Sequence, residues 1–108
     1  MSGCVPAGLD VTEDQWRLIR DILREHLPDC EVRAFGSRTT GQAKPYSDLD
    51  LALMPVTTLA LAEIAALREA FSDSSLPWKV DLVDGTVASA GFRDIIDRHH
   101  IVVQTQAS

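Results

Sequence analysis

The sequence predicts a small α+β (α/β) domain, a mixed sheet flanked by helices. Three observations carry that reading. The chain of 108 residues is the size of one domain with a single modest core. A hydrophobic content of 45% with 24% charged residues is that of a soluble globular protein. Stretches with helical apolar spacing alternate with short runs of two-residue alternation, in the order α-β-β-α-β-α with a last short strand or edge piece.

Residues 1–10 read as a loose lead-in, 11–103 as the folded domain and 104–108 as a polar tail. Thr12 and Gln15 form a capping box, with Glu13 and Asp14 in the first turn, where the helix dipole favours acids. Trp16, Ile19, Leu23 and Leu27 then recur at helical spacing until Pro28 closes the helix. Strands are expected at 31–36 and 48–54, joined by a turn-rich connection through Gly41, Lys44 and Pro45. Thr58 is placed to cap a second helix with Leu61, Ile64, Ala65, Leu67 and Phe71 as its apolar positions. "SDSSLP" ends that helix and "WKVDLVD" supplies a third strand. Phe92, Ile95 and Ile96 fit one face of a last helix, before "IVV" at 101–103.

The net charge of −6 argues against broad binding to nucleic acid, which needs a positive face. A polyphosphate would also be repelled unless something local reversed the field, and a divalent cation does so most directly. Arg17, Arg20 and Arg24 line one side of the first helix; acids at four-residue spacing favour a solvated, self-paired face over a docking stripe. Cys4 and Cys30 make no CxxC pair and read as ordinary reduced thiols. No apolar run approaches the roughly 20 residues that span a bilayer, and no secretory signal opens the chain, so a cytoplasmic location is expected. His99 and His100 are neighbours that point apart, and His26 is remote, so a zinc site is disfavoured.

The informative stretch is "RAFGSRTTGQAKPYSDLDLALM", Arg33 to Met54. On a strand, Asp48 and Asp50 share one face and Leu49, Leu51 and Leu53 the other. Burying the three leucines forces both acids outward and fixes the register. Carboxylates at such positions repel unless a cation lies between them, and Mg²⁺ commonly takes one or two carboxylates plus substrate phosphates. Asp81 in "KVDLVD" also alternates with apolar neighbours and is a third candidate ligand or proton acceptor. Asp84 has the opposite parity and is expected to start the next turn. Gly36 permits close approach or a positive φ, Ser37 adds a hydroxyl, and Arg38 could reach a phosphate oxygen. The spacing of Gly36 and Gly41 imitates a P-loop, but Gln42 and Ala43 stand where its lysine and hydroxyl residue belong.

Gly36-Ser37, then Ser47-Asp48-Leu49-Asp50-Leu51, then Val80-Asp81-Leu82-Val83, in this order and spacing, resemble the polymerase-beta-like nucleotidyltransferase superfamily. The likeness is to its minimal nucleotidyltransferases (the MNT family), small prokaryotic proteins often encoded beside a HEPN-domain toxin. It implies that Gly36 and Ser37, with Arg38 and Ser47, hold the nucleotide. Asp48, Asp50 and Asp81 would hold Mg²⁺, two ions in all, with Asp81 also helping to deprotonate the acceptor. The implied reaction moves AMP from ATP to a hydroxyl, in the antitoxin members a tyrosine of the toxin. After the three-acid core little chain is left for an acceptor domain, so the acceptor site is expected to lie partly on another molecule. Two other readings stay open: a non-catalytic module that neutralises its partner by contact, and a small-molecule enzyme of the antibiotic-modifying kind. Charge reversal along the arginine stripe tests the first, and the activity of a strict monomer the second.

Overall fold

The computed structural model describes residues 5–55 and 59–105. Its elements run α1 (Glu13–His26), β1 (Glu31–Phe35), α2 (Ser37–Thr40), β2 (Leu49–Met54), α3 (Leu61–Asp73), β3 (Val80–Asp84), α4 (Ala90–Arg98) and β4 (Ile101–Gln104). The four strands form one sheet in the order β3-β2-β1-β4. β1 pairs antiparallel with β2 and β4, and β2 pairs parallel with β3, so the sheet is mixed as expected.

Local signals set most of these boundaries. Thr12 Oγ1 accepts from the Gln15 N–H at 3.2 Å while Gln15 Oε1 accepts from the Thr12 N–H at 2.9 Å, the reciprocal cap that starts α1. Trp16, Ile19, Leu23 and Leu27 are buried. On the polar side Arg17 pairs with Glu13 and Asp14, and Arg20 with Asp21, so the arginine stripe is largely matched within its own helix.

The main core lies between one sheet face and the pair α1 and α3. Val32 and Ala34 from β1, Leu49, Leu51 and Leu53 from β2, and Leu67 and Phe71 from α3 meet there. Cys30 joins them, and burial pushes its thiol up to about 11. At pH 8 only about one part in a thousand is then thiolate, and reactivity follows the thiolate. In a Cys4→Ser background the folded protein should therefore resist alkylation by iodoacetamide that proceeds readily in denaturant. Equal rates in both conditions would contradict the buried placement.

Several expectations need correction. The proposed Thr58 cap lies outside the described residues. α3 opens instead with Glu63 Oε1 accepting from the Ala60 N–H at 3.1 Å. Ile64, Leu67 and Phe71 make its inward stripe, whereas Leu61 is 86% exposed and Ala65 is also exposed. At about 100° per residue Leu61 sits roughly 90°, and Ala65 roughly 130°, away from that stripe. Likewise Ile96 is buried in α4 while Ile95 is 64% exposed. β4 runs on to Gln104, whose amide donates to the Leu27 and Cys30 carbonyls and so belongs to the fold rather than to a tail.

Candidate active site

Val32 and Ala34 point into the core, so Arg33 and Phe35 look out from the other sheet face, the face of Asp50 and Asp81. α4 covers part of it. Phe92 meets Phe35 edge-on with ring centroids 5.5 Å apart, and Asp97 accepts from Arg33 at 3.0 Å. Ile96 and Ala52 are buried outside the main core cluster. What remains uncovered is the end where β2 and β3 begin: Asp48 is exposed, and Asp50 and Asp81 are half-buried.

Asp50 occupies the centre of this end. It faces Phe35 across β1 and Asp81 across β3. Neighbouring strands lie about 4.8 Å apart, so the two carboxylates stand side by side. Asp48 precedes β2 by one residue instead of opening it. Burial, then Asp81, then Asp48 raise the carboxyl of Asp50 above its ordinary range.

Gly36 follows β1 with φ of +82°. A Cβ there would collide with Asp50 Oδ2 and lie 3.3 Å from its Cγ. Glycine is required twice over, by the left-handed backbone and by the contact with the acid. The one-turn helix α2 starts here, with the Thr39 N–H and hydroxyl both donating to the Gly36 carbonyl at 3.0 and 2.7 Å. Ser37 Oγ has no hydrogen-bond partner among the described residues, and Ser37 directly follows the glycine packed against Asp50.

Arg38 does something else. It is 4% exposed and its ring of donors is spent on main-chain carbonyls: Ser47 and Asp10 at 2.9 Å, Pro45 at 3.1 Å and Lys44 at 3.4 Å. Its guanidinium stacks 4.4 Å from the centre of the Trp78 ring. One side chain thereby ties the loop that ends at Asp48 to the residue two places ahead of β3. Nε, Nη1 and Nη2 are thus each engaged with the main chain, and in this geometry the side chain holds the loop in place of reaching outward to a phosphate. Ser47 closes the same loop, its hydroxyl accepting from the Lys44 N–H at 2.8 Å. Asp84 accepts from the Thr86 N–H and hydroxyl at 2.9 and 2.7 Å, the turn foreseen for it. His99 and His100 bond the Thr39 and Ile96 carbonyls and take no part in the acid cluster.

Lys79 was not singled out by sequence, although its parity with Asp81 was readable; its ammonium lies 3.9 Å from Asp81 Oδ1. Among the described residues no three His, Cys, Asp or Glu side chains converge on an ion position. The residues nonetheless fit Mg²⁺, because the ion needs only one or two carboxylates when phosphates complete its shell. The mutual repulsion recorded at Asp50 is what a cation would relieve.

Both the sequence and the fold of this chain are matched in known proteins. The family model for the nucleotidyltransferase domain matches residues 17–107. A probable protein adenylyltransferase, MntA of Haemophilus influenzae, is 45% identical over 98 residues, 91% of this chain and 86% of the relative. The chain belongs to the minimal nucleotidyltransferase family. As a member it is a nucleotidyltransferase. Solved structures agree on the fold. A crystal structure of a toxin–antitoxin with AMP-PNP superposes with a TM-score of 0.72 at 26% identity, covering 84% of this chain and 73% of that one. A tri-AMPylated Shewanella oneidensis HEPN toxin in complex with MNT antitoxin gives a TM-score of 0.66 at 25% identity, covering 87% and 72%. Among the described residues no helix is long and apolar enough to cross a membrane.

Proposed function

We propose that this nucleotidyltransferase is an antitoxin that transfers AMP from ATP to a tyrosine hydroxyl of a HEPN-type toxin partner. The observation that carries the reading is the contact of Gly36 with Asp50, which sets a turn with a free Ser37 hydroxyl against two acids paired in register. The acceptor class is supported by the relatives, one named a probable protein adenylyltransferase and another seen with an AMPylated toxin.

The residues divide the work as follows. The turn at Gly36 and the Ser37 hydroxyl hold the triphosphate. Asp48 and Asp50, with Asp81, would hold Mg²⁺, two ions in the full site; when bound, it supplies charge neutralisation at the phosphates. The acceptor oxygen forms a bond to the α-phosphorus, and the bond from that phosphorus to the bridging oxygen breaks. Pyrophosphate leaves and the hydroxyl proton passes to Asp81, which stands beside Asp50 at the uncovered end. Arg38 and Ser47 act one step back, by fixing the loop that delivers Asp48.

Because the chain carries −6 and the site gathers acids, ATP alone is repelled. Chelating divalent ions with EDTA should lower transfer by at least about a hundredfold, the loss of ~2.7 kcal/mol of charge stabilisation. Excess Mg²⁺ should restore it. The reading itself is tested by mass spectrometry of the HEPN protein after incubation with this chain, ATP and Mg²⁺. A gained AMP mapped to a tyrosine supports it, and an unmodified toxin under conditions where the complex forms contradicts it.

A further inference from the structure

The sheet has a second feature that the acid face does not use. β3 is an outer strand, paired among the described residues only with β2. The Lys79 carbonyl accepts from the Leu49 N–H at 2.9 Å, and the Gly85 N–H donates to the Leu53 carbonyl at 2.8 Å. Odd-numbered residues of this segment therefore turn their main-chain groups to β2, and those of Val80 and Leu82 look outward. Natural sheets blunt or cover such an edge. Here a cavity of about 340 Å³ adjoins it, between the second half of α3 and the start of β3. Phe71, Leu76, Trp78 and Val80 give it an apolar lining, and Arg68 and Lys79 stand at it. Arg68 has no ion-pair partner among the described residues, and Lys79 reaches Asp81 only at 3.9 Å. Two exposed cations beside an apolar cavity are a local reversal of sign on a chain of net charge −6.

We infer that the outer edge of β3 and this cavity are the docking site for an extended acidic–apolar segment of the acceptor protein. The inference rests on the toxin reading above for the existence of a protein acceptor. Such a segment adds a strand to the edge through the main-chain groups of Val80 and Leu82, the recurring mode of peptide capture by sheet edges. One apolar side chain fills the cavity, and carboxylates of the segment meet Arg68 and Lys79. Because Val80 is followed directly by Asp81, a segment bound there runs alongside the transfer site. Docking at the edge thus brings the acceptor to the acids without covering the nucleotide turn at Gly36.

The test uses the full chain and a HEPN-domain toxin protein of the kind the proposed function requires. Amide hydrogen exchange in the complex should slow at Val80 and Leu82. Arg68→Glu, and separately Ser72→Trp, which plugs the cavity from α3, should each weaken the complex by about tenfold or more, while ATP affinity stays unchanged. Full-strength complexes with both variants, or protection confined to other surfaces, would overturn the docking site and leave the transfer reading intact. Failure of the unaltered chain to bind the HEPN protein would instead remove the toxin reading, and the docking site with it.

Discussion

Asp50→Asn is expected to stop nucleotidyl transfer and, in the absence of divalent ions, to make the protein more stable. Both effects come from one fact: the carboxylate is half-buried, pressed by Gly36 and flanked by Asp81 and Asp48. For transfer, the loss should be at least about a thousandfold, ~4 kcal/mol, since a group that balances phosphate charge is removed from the centre of the site. For stability the sign follows from linkage. Asp50 titrates above its unfolded value of 3.8, so the folded chain holds this proton more tightly than the unfolded one. Its ionisation therefore costs stability as pH rises from 3.8 through the raised folded value, and the cost persists above it. Asparagine cannot ionise. Melting in EDTA should show the variant above the parent at neutral pH, with the gap closing as the medium is made acidic. A variant that melts lower at neutral pH would mean that Asp50 is satisfied by the fold itself, not kept in tension for a cation.

Arg38→Ala is the second large effect, and it acts through structure. The alanine variant loses a buried cation and its stacking on Trp78, and it leaves the Asp10, Pro45 and Ser47 carbonyls without the donors that Arg38 supplies, while the Lys44 carbonyl keeps the Ser47 N–H. Breaking a buried charged network of this kind costs about 3–5 kcal/mol. Arg38→Lys keeps the charge but not the planar fork, so it should recover only part of the loss. Urea unfolding measures both. If Arg38 instead served the triphosphate, the lysine variant would keep parent stability and lose ATP affinity alone. For this reason Arg38 is a positioning residue here. Burial lowers its pKa, with Asp10 and Asp48 opposing, but nothing in the geometry turns it to solvent.

The features legible in the sequence were those fixed by short-range periodicity. The capping box at Thr12 and Gln15 spans three residues, and the alternation of acids and leucines along β2 needs only the parity of a strand. The box survives intact, and the alternation holds from Leu49 onward, with Asp48 one residue ahead of the strand. The register of Asp50 against Asp81 was reachable in outline, because each acid alternates with apolar neighbours, but the parallel pairing itself is a tertiary fact. The anchoring contacts of Arg38 are not legible in the sequence, since its partners lie from 6 to 28 residues away and Trp78 lies further still. Turn composition suggested a phosphate ligand, and the loop it anchors was invisible. α2 is a single turn of four residues, too short to leave an apolar period. Leu61, Ala65 and Ile95 fit an inward face by spacing yet lie exposed, because composition does not say which apolar residues of a short helix meet the sheet.

The most direct measurement of the central claim compares ATP labelled at the α-phosphate with ATP labelled at the γ-phosphate. Each is incubated with this chain, Mg²⁺ and a HEPN-type toxin protein, beside an Asp48→Asn/Asp50→Asn control. The account predicts that the α-label appears on the HEPN protein, the γ-label appears only in pyrophosphate, and the control labels nothing. Label arriving from the γ-position, or α-label undiminished in the control, would contradict it.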